Sequence, residues 1–310
     1  MHRFLRAIGF SKITKREELQ ELINTVVTKS FVHMEKNAKK DFVADENDRV
    51  SAELFYDFSE DIGVCVRGEI DEENRFCYEY YFPYLRSHHI SSYEDITIER
   101  HAEKESYAGI CDDIKIGVSI IFYLQEMIPY LKLKYANRLP VKGTSLSLSA
   151  LSVDGTIMMP IIKNEKEKKK IKKVSSERNQ LLAQARMGDE DAIESLTLDD
   201  MDTYTSISKK IHKTDVYTLV DTYFMPYGVE CDQYSILGEI LEVREQTNSL
   251  TKEEVYILTI ECNEMTFEVA INKEDLLGEP MVGRRFKGVI WLQGNVNFPN
   301  YSEPMSHEEC

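Results

Sequence analysis

Apolar residues in the first part of the chain recur with two periods. Between residues 14 and 35, Leu19, Leu22, Ile23, Val26 and Val27 share one helical stripe, while Lys15, Glu17, Glu21 and Lys29 fall elsewhere. That spacing predicts an amphipathic helix. Past the polar run Asp45, Glu46, Asn47 and Asp48 the period drops to two. It predicts consecutive strands over residues 50–58, 62–70 and 75–82, the last two joined by a hairpin at Asp71, Glu72, Glu73 and Asn74. Residues 95–101 alternate cleanly, with Ile96 and Ile98 on one face. Residues 114–124 are nearly all apolar, and β-branched Ile114, Ile116, Val118, Ile120 and Ile121 favour a strand that runs into a helix over 125–133. Pro129 fits that helix in its first turn. Residues 144–159 predict a last strand pair turning at Asp154 and Gly155. One helix on an antiparallel meander makes an α+β unit, assigned to residues 1–162.

The pattern then changes to charge. Residues 163–186 hold nine basic and three acidic residues, and residues 187–202 hold seven acidic and no basic ones. Burying unpaired charges costs several kcal/mol each, so this stretch is expected to stay solvated and to separate two units that each bury their own core. Within it we expect solvated coil or the frayed start of a helix over 163–173, a helix starting at Ser175 or Ser176 and ending at Gly188, a short second helix from Asp189, and a third over 198–212. The insert with its connector is assigned to residues 163–233. The acidic run is expected to pair with the basic run beside it.

Period-two alternation returns at residues 236–244, 254–261 and 265–271. A one-turn helix capped by Asn272 follows, and then strands over 285–293 and 295–298. Three strands, a small helix and two strands is the element order of an OB-like barrel, assigned to residues 234–300 with a tail over 301–310. In the strand at 285–293, Phe286, Gly288, Ile290 and Leu292 take one face. The single Trp of the chain, Trp291, therefore lies outside the barrel beside Val289. There it either packs on the rest of the molecule or, with Arg284, Arg285 and Lys287 nearby, anchors a protein partner.

Composition narrows the functions. The chain has 310 residues, 42% hydrophobic, and a formal net charge of -16. It is a folded protein whose surface would mostly repel nucleic acid or an anionic membrane. The opening residues lack a signal-peptide pattern, no window is long and apolar enough to span a bilayer, and the cysteines form no CxxC pair. A cytoplasmic protein with free thiols is expected.

No motif assigns a chemistry. GxSxG, HExxH, GxGxxG and GxxxxGK[ST] are all missing. His88, His89 and His101, with Glu94, Glu99, Asp112 and Asp113, could be drawn together as metal ligands or as a hydrolytic cluster. Nothing fixes their spacing, and a solvated strand face is the favoured account of them; no metal or cofactor is expected. Lys168, Lys169, Lys170, Lys172 and Lys173 form a basic patch that could bind RNA, but fourteen acidic residues against six basic ones from 234 onwards oppose it.

Four blocks carry a family likeness: residues 178–189 (RNQLLAQARMGD), 199–204 (DDMDTY), 223–230 (YFMPYGVE) and 286–294 (FKGVIWLQG). They resemble an uncharacterised family of clostridial cytosolic proteins described only as a domain of unknown function. The resemblance implies a bacterial, intracellular protein and carries over no activity, cofactor or catalytic residue. The sequence therefore favours a non-catalytic interaction or regulatory protein. A hydrolase around His88, His89, His101 and Asp112 comes second, and an RNA-binding module third.

Overall fold

The helix expected at residues 14–35 forms over Arg16–Val27 (α1) and continues as a π-helical turn, Thr28–Val32. This computed structural model describes residues 2–33, 35–100, 106–113, 119–161, 165–211, 220–229 and 231–299. Leu22, Ile23 and Val26 are the buried positions of the expected stripe. The Glu18 carboxylate accepts from the backbone N–H groups of Thr14 and Lys15 at 3.0 and 3.1 Å, occupying donors just ahead of the first turn. The helix packs on β2 (Val50–Asp57) and β3 (Ile62–Ile70), central strands of an antiparallel meander that also holds β1 (Ala38–Ala44) and β4 (Phe76–Leu85). The sequence missed β1 because it is a half-solvated edge carrying Lys39, Lys40 and Asp41. Such an edge needs little apolar pattern.

A second sheet begins with β5 (Ile96–Arg100), β6 (Tyr107–Cys111) and β7 (Ile120–Leu124), all antiparallel. Helix α2 (Met127–Tyr135) follows directly, with Pro129 in its first turn. Of the expected strand over 114–124, residues 114–118 lie outside the described residues.

The largest correction concerns residues 144–159. They form one strand, β8 (Ser145–Met158), that does not turn at Asp154 and Gly155. Gly155 is used for closeness: a Cβ there would meet Phe286 at 2.5 Å and Ile271 at 2.8 Å. The strand runs straight through this crowded point and pairs antiparallel with β14 (Arg285–Asn297) from Met158↔Arg285 to Ser145↔Asn297. On its other edge β8 pairs in parallel with β12 (Met265–Asn272).

The remaining staves are β10 (Gln233–Thr247) and β11 (Glu254–Cys262), and the order β8–β12–β11–β10–β14 returns to β8. The molecule thus contains a closed five-stranded barrel and an antiparallel sheet, with few helices. β9 (Tyr223–Pro226) pairs with β10, and β13 (Leu276–Leu277) pairs with β8. Between β12 and β13 the Asn272 side chain caps a 3₁₀ turn by accepting from Glu274 N at 3.0 Å, as expected. β14 does not break at Gly294.

The boundary drawn at residue 162 therefore falls just after a barrel stave, and the two halves do not keep separate cores. Inside the barrel, Leu148 and Ala150 meet Ile240, Leu258, Phe267, Phe286 and Leu292. On its outer face, Leu151, Ile257, Ala270 and Trp291 join Phe4, Phe55, Val64 and Phe82 in a second core. Alternation within β8 and β14 sends successive residues to the two cores. Strand pairing across the charged insert overrides the division inferred from charge.

The insert is a helical hairpin, α3 (Glu165–Arg186) and α4 (Glu190–Ile211). Lysine and glutamate are good helix formers, so residues 165–173 take the helical one of the two expected forms, and no breaker interrupts α4 near residue 198. Gly188 takes φ 88° in the turn, the left-handed geometry expected of it.

Candidate functional site

Two clusters of buried charge join the four-stranded sheet to the rest of the molecule. In the first, Glu53 on β2 and Arg67 on β3 are fully buried and 2.6 Å apart. Glu53 also accepts from the N–H groups of Met127 and Ile128, the open end of α2, each at 3.1 Å. Arg67 donates to the carbonyls of Leu124 (3.1 Å) and Gln125 (2.7 Å) and to the Tyr80 hydroxyl (2.7 Å), and its guanidinium lies 4.7 Å from the Phe82 ring centre. Burial pushes the Glu53 carboxyl up. Burial also pulls Arg67 down, but Glu53, Tyr123, Tyr80 and Cys65 together more than offset this and hold the guanidinium protonated. We read the pair as ionised, a rivet between sheet and helix.

The second cluster reaches the surface. Asp61, in the turn before β3, is buried, and its carboxylate is met by His88 Nε2 (2.6 Å), Gln246 Nε2 (2.6 Å) and Arg244. Arg244, on β10, also pairs with buried Glu268 on β12, which accepts from His88 N at 2.8 Å. Burial raises the Asp61 carboxyl, but the bonds from His88 and Arg244 outweigh it and leave Asp61 below the usual carboxylate range. An imidazole on a buried carboxylate is the base-and-orienter half of a nucleophilic site. Here the second oxygen of that carboxylate is taken by Arg244 and Gln246. Among the described residues no Ser, Thr or Cys hydrogen-bonds the His88 ring.

The expected histidine and carboxylate group does not converge. His88 turns to Asp61, Asp113 is buried and accepts from Ser92 Oγ at 2.7 Å, and Asp112 accepts from Ser119. Glu94 and Glu99 are exposed, His89 is half-buried, and His101 lies outside the described residues. Among the described residues no three His, Cys, Asp or Glu side chains gather as a metal site. Sequence reading missed Asp61, Arg244 and Glu268 because barrel closure brings them together across long separations. Cys65, Cys77, Cys111, Cys231 and Cys262 are free thiols, and Cys310 lies outside the described residues. Burial pushes Cys262 up to about 12, which makes it a core residue and not a nucleophile.

Trp291 lies on the barrel's outer face as expected, but it is covered. His2, Phe4 and Tyr123 put ring centres 4.6, 5.4 and 5.1 Å from it, and its Nε1 donates to Asp232 at 2.7 Å. This aromatic packing leaves it 5% exposed, so it cannot anchor a partner. Val289 is half-buried, its carbonyl accepting from Ser152 Oγ at 2.9 Å. Arg284 donates to the Glu279 carbonyl at 2.7 Å. Buried Arg285 donates to the carbonyls of Met159 (3.1 Å) and Val220 (2.9 Å), and Lys287 is half-buried. Arg284 and Arg285 tie the start of β14 to neighbouring backbone, and Arg284, Lys287 and Val289 are only partly exposed.

Exposed apolar residues occur at several places on the surface, and one group of them is on the hairpin. Ala192 and Leu196 turn inward, while Met187, Ile193, Leu198 and Met201 are exposed at 88, 46, 57 and 63%. Thr197, Asp200, Met201 and Thr205 line a shallow depression along α4. Arg178 on α3 pairs with Asp200 on α4 at 2.8 Å, and Asn179 reaches Glu264 in the β11–β12 turn at 3.5 Å. Of the basic patch, exposed Lys173 pairs with Glu177 at 3.7 Å. Lys168, Lys169, Lys170 and Lys172 lie on the α3 backbone, and their side chains lie outside the described residues.

The profile of one family, described as "Domain of unknown function, E. rectale Gene description (DUF3881)", matches residues 5–294. The chain belongs to this family. The match spans both sheets and the hairpin, as the resemblance of the four sequence blocks implied. No curated protein and no solved structure matches the chain. The family assignment thus brings no chemistry with it, and function has to be argued from the surface described above.

Proposed function

We propose that the chain is a non-catalytic interaction or regulatory protein whose contact surface is the α3–α4 hairpin. The observation that carries this is the distribution of apolar exposure. Met187, Ile193, Leu198 and Met201 are exposed on one helical hairpin. Clustered apolar exposure of this kind marks association surfaces. The buried clusters, by contrast, are consumed in holding the sheets together. The barrel serves as a scaffold in this reading. Its outer face at Leu151, Ile257, Ala270 and Trp291 is packed, which leaves little room there for the ligand face of an OB-like domain. No helix among the described residues is long and apolar enough to cross a membrane, and a cytoplasmic location is part of the proposal.

The test compares Ile193→Ser/Met201→Ser with His88→Ala. Affinity capture from native cytosol at moderate salt should lose its bound proteins with the hairpin variant and keep them with His88→Ala. Unchanged capture by a folded hairpin variant would refute this surface. The hydrolase reading is favoured by the His88–Asp61 pair alone. Turnover of an ester or phosphoester panel by the wild type, abolished in His88→Ala, would establish it instead.

A further inference from the structure

We infer that the partner of the hairpin is a second copy of this chain, docked antiparallel so that each hairpin's acidic tip lies along the other's basic base. This rests on the hairpin being the contact surface, and it adds the identity of the occupant.

The argument starts from register. Three residues join α3 to α4, and the Arg178–Asp200 pair lies a similar distance from the turn on each helix, so the helices are antiparallel. This register places residues 165–173 opposite the C-terminal end of α4, not opposite the acidic run. The base of the hairpin therefore gathers Lys166, Lys168, Lys169, Lys170, Lys172 and Lys173 on α3 with Lys209 and Lys210 on α4. The tip half carries Glu190, Asp191, Glu194, Asp199, Asp200 and Asp202 on α4, against Arg178 and Arg186 in the same half of α3. The register thus sets the basic and acidic runs at opposite ends of the hairpin, and Arg178–Asp200 joins the two helices between them.

A rod that is positive at one end and negative at the other is complementary to itself under a two-fold axis. Side-by-side antiparallel docking brings base to tip twice, and the exposed stripe of Ile193 and Met201 supplies the apolar seam between the rods. Helices of 22 residues are about 33 Å long, and two abreast are about 20 Å wide. Such a face buries on the order of 1,300 Å² in total, the lower end of what a specific dimer uses. Association in the micromolar range, weakened by salt, is the expected behaviour.

The experiment is sedimentation equilibrium of the full chain at about 1–200 µM in low and high salt. It uses the wild type, a base-reversed variant (Lys168→Glu, Lys169→Glu, Lys170→Glu, Lys172→Glu, Lys173→Glu) and a tip-reversed variant (Glu190→Lys, Asp191→Lys, Glu194→Lys, Asp199→Lys). Circular dichroism checks that each keeps its helix content. The wild type should dimerise, with Kd rising about tenfold or more in high salt. Each folded variant alone should stay monomeric, and an equimolar mixture of the two should dimerise again, because both base-to-tip contacts are then attractive. A wild-type monomer at 200 µM in low salt, a base-reversed variant that still dimerises, or a mixture that stays monomeric overturns the inference. An RNA oligonucleotide retained by the monomeric wild type and lost on base reversal would assign the base to nucleic acid instead. If the wild type is monomeric yet Ile193→Ser/Met201→Ser still abolishes capture from cytosol, self-association fails while the hairpin remains a contact surface.

Discussion

Removing one member of the Glu53–Arg67 pair should cost far more than removing both. Both side chains are fully buried. Arg67→Met leaves the Glu53 carboxylate in the core with only the Met127 and Ile128 amides for company, and Glu53→Leu strands the guanidinium among Tyr80, Phe82 and Tyr123. Breaking a buried pair from one side costs about 3–5 kcal/mol. The double variant Glu53→Leu/Arg67→Met removes both charges and loses mainly hydrogen bonds, at about 1 kcal/mol each. We expect it at about 2–4 kcal/mol, well under the sum of the singles, with a coupling of several kcal/mol. At about 2–4 °C per kcal/mol, each single variant should lower Tm by roughly 6–20 °C. Arg67→Lys should behave nearly as badly as Arg67→Met, because an ammonium cannot span two carbonyls, a hydroxyl and a carboxylate at once. The assay is urea unfolding followed by far-UV circular dichroism and by Trp291 emission. Additive single-variant losses would refute the claim that the two charges form one unit.

Asp61→Asn should be less stable than the wild type at pH 5. The folded Asp61 carboxyl sits below its usual value, so its contribution is full above about pH 4 and is lost as pH falls through the folded value; urea midpoints should therefore converge on acidification. A gap that does not narrow as pH falls below the usual carboxylate range would contradict this. Deleting residues 1–10 should red-shift Trp291 emission and quicken its quenching by acrylamide, since His2 and Phe4 cover the indole. Unchanged emission would place the cover elsewhere. Gly109→Ala puts a Cβ 2.0 Å from the Phe122 ring and should cost about 1–3 kcal/mol, visible as a lower urea midpoint.

Local order was legible in the sequence. The α1 stripe, the strands at 50–58 and 62–70 and the alternation that sends Trp291 outward all follow from periodicity, and the structure keeps each of them. Partner choice was not. A 14-residue strand such as β8 and a hairpin turning at Asp154–Gly155 share one pattern, and only the crowding of Gly155 by Phe286 and Ile271 separates them. The buried charges had a readable signal that was passed over. Ile62, Val64, Cys65 and Val66 are apolar on both faces of β3, so Arg67 in the same strand had to be buried and had to have a counter-ion. Its identity as Glu53 needed the register Glu53↔Arg67 between β2 and β3. Asp61, Arg244 and Glu268 left no sequence signal, because each looks like a surface charge until the barrel closes.

The placement of β8 has a consequence for synthesis. On the ribosome this strand emerges long before the two edges that will flank it. Before even the first of them, β12, the nascent chain must deliver the whole helical hairpin and three further strands. Until β14 has left the exit tunnel, Leu148 and Ala150 have no barrel to enter and Leu151 lacks Trp291 in the second core, and a chain stopped in the hairpin carries an unpaired strand with sticky sides. Completion of translation, more than any local step, is what permits this protein to fold, and its truncated products are candidates for chaperones and proteases.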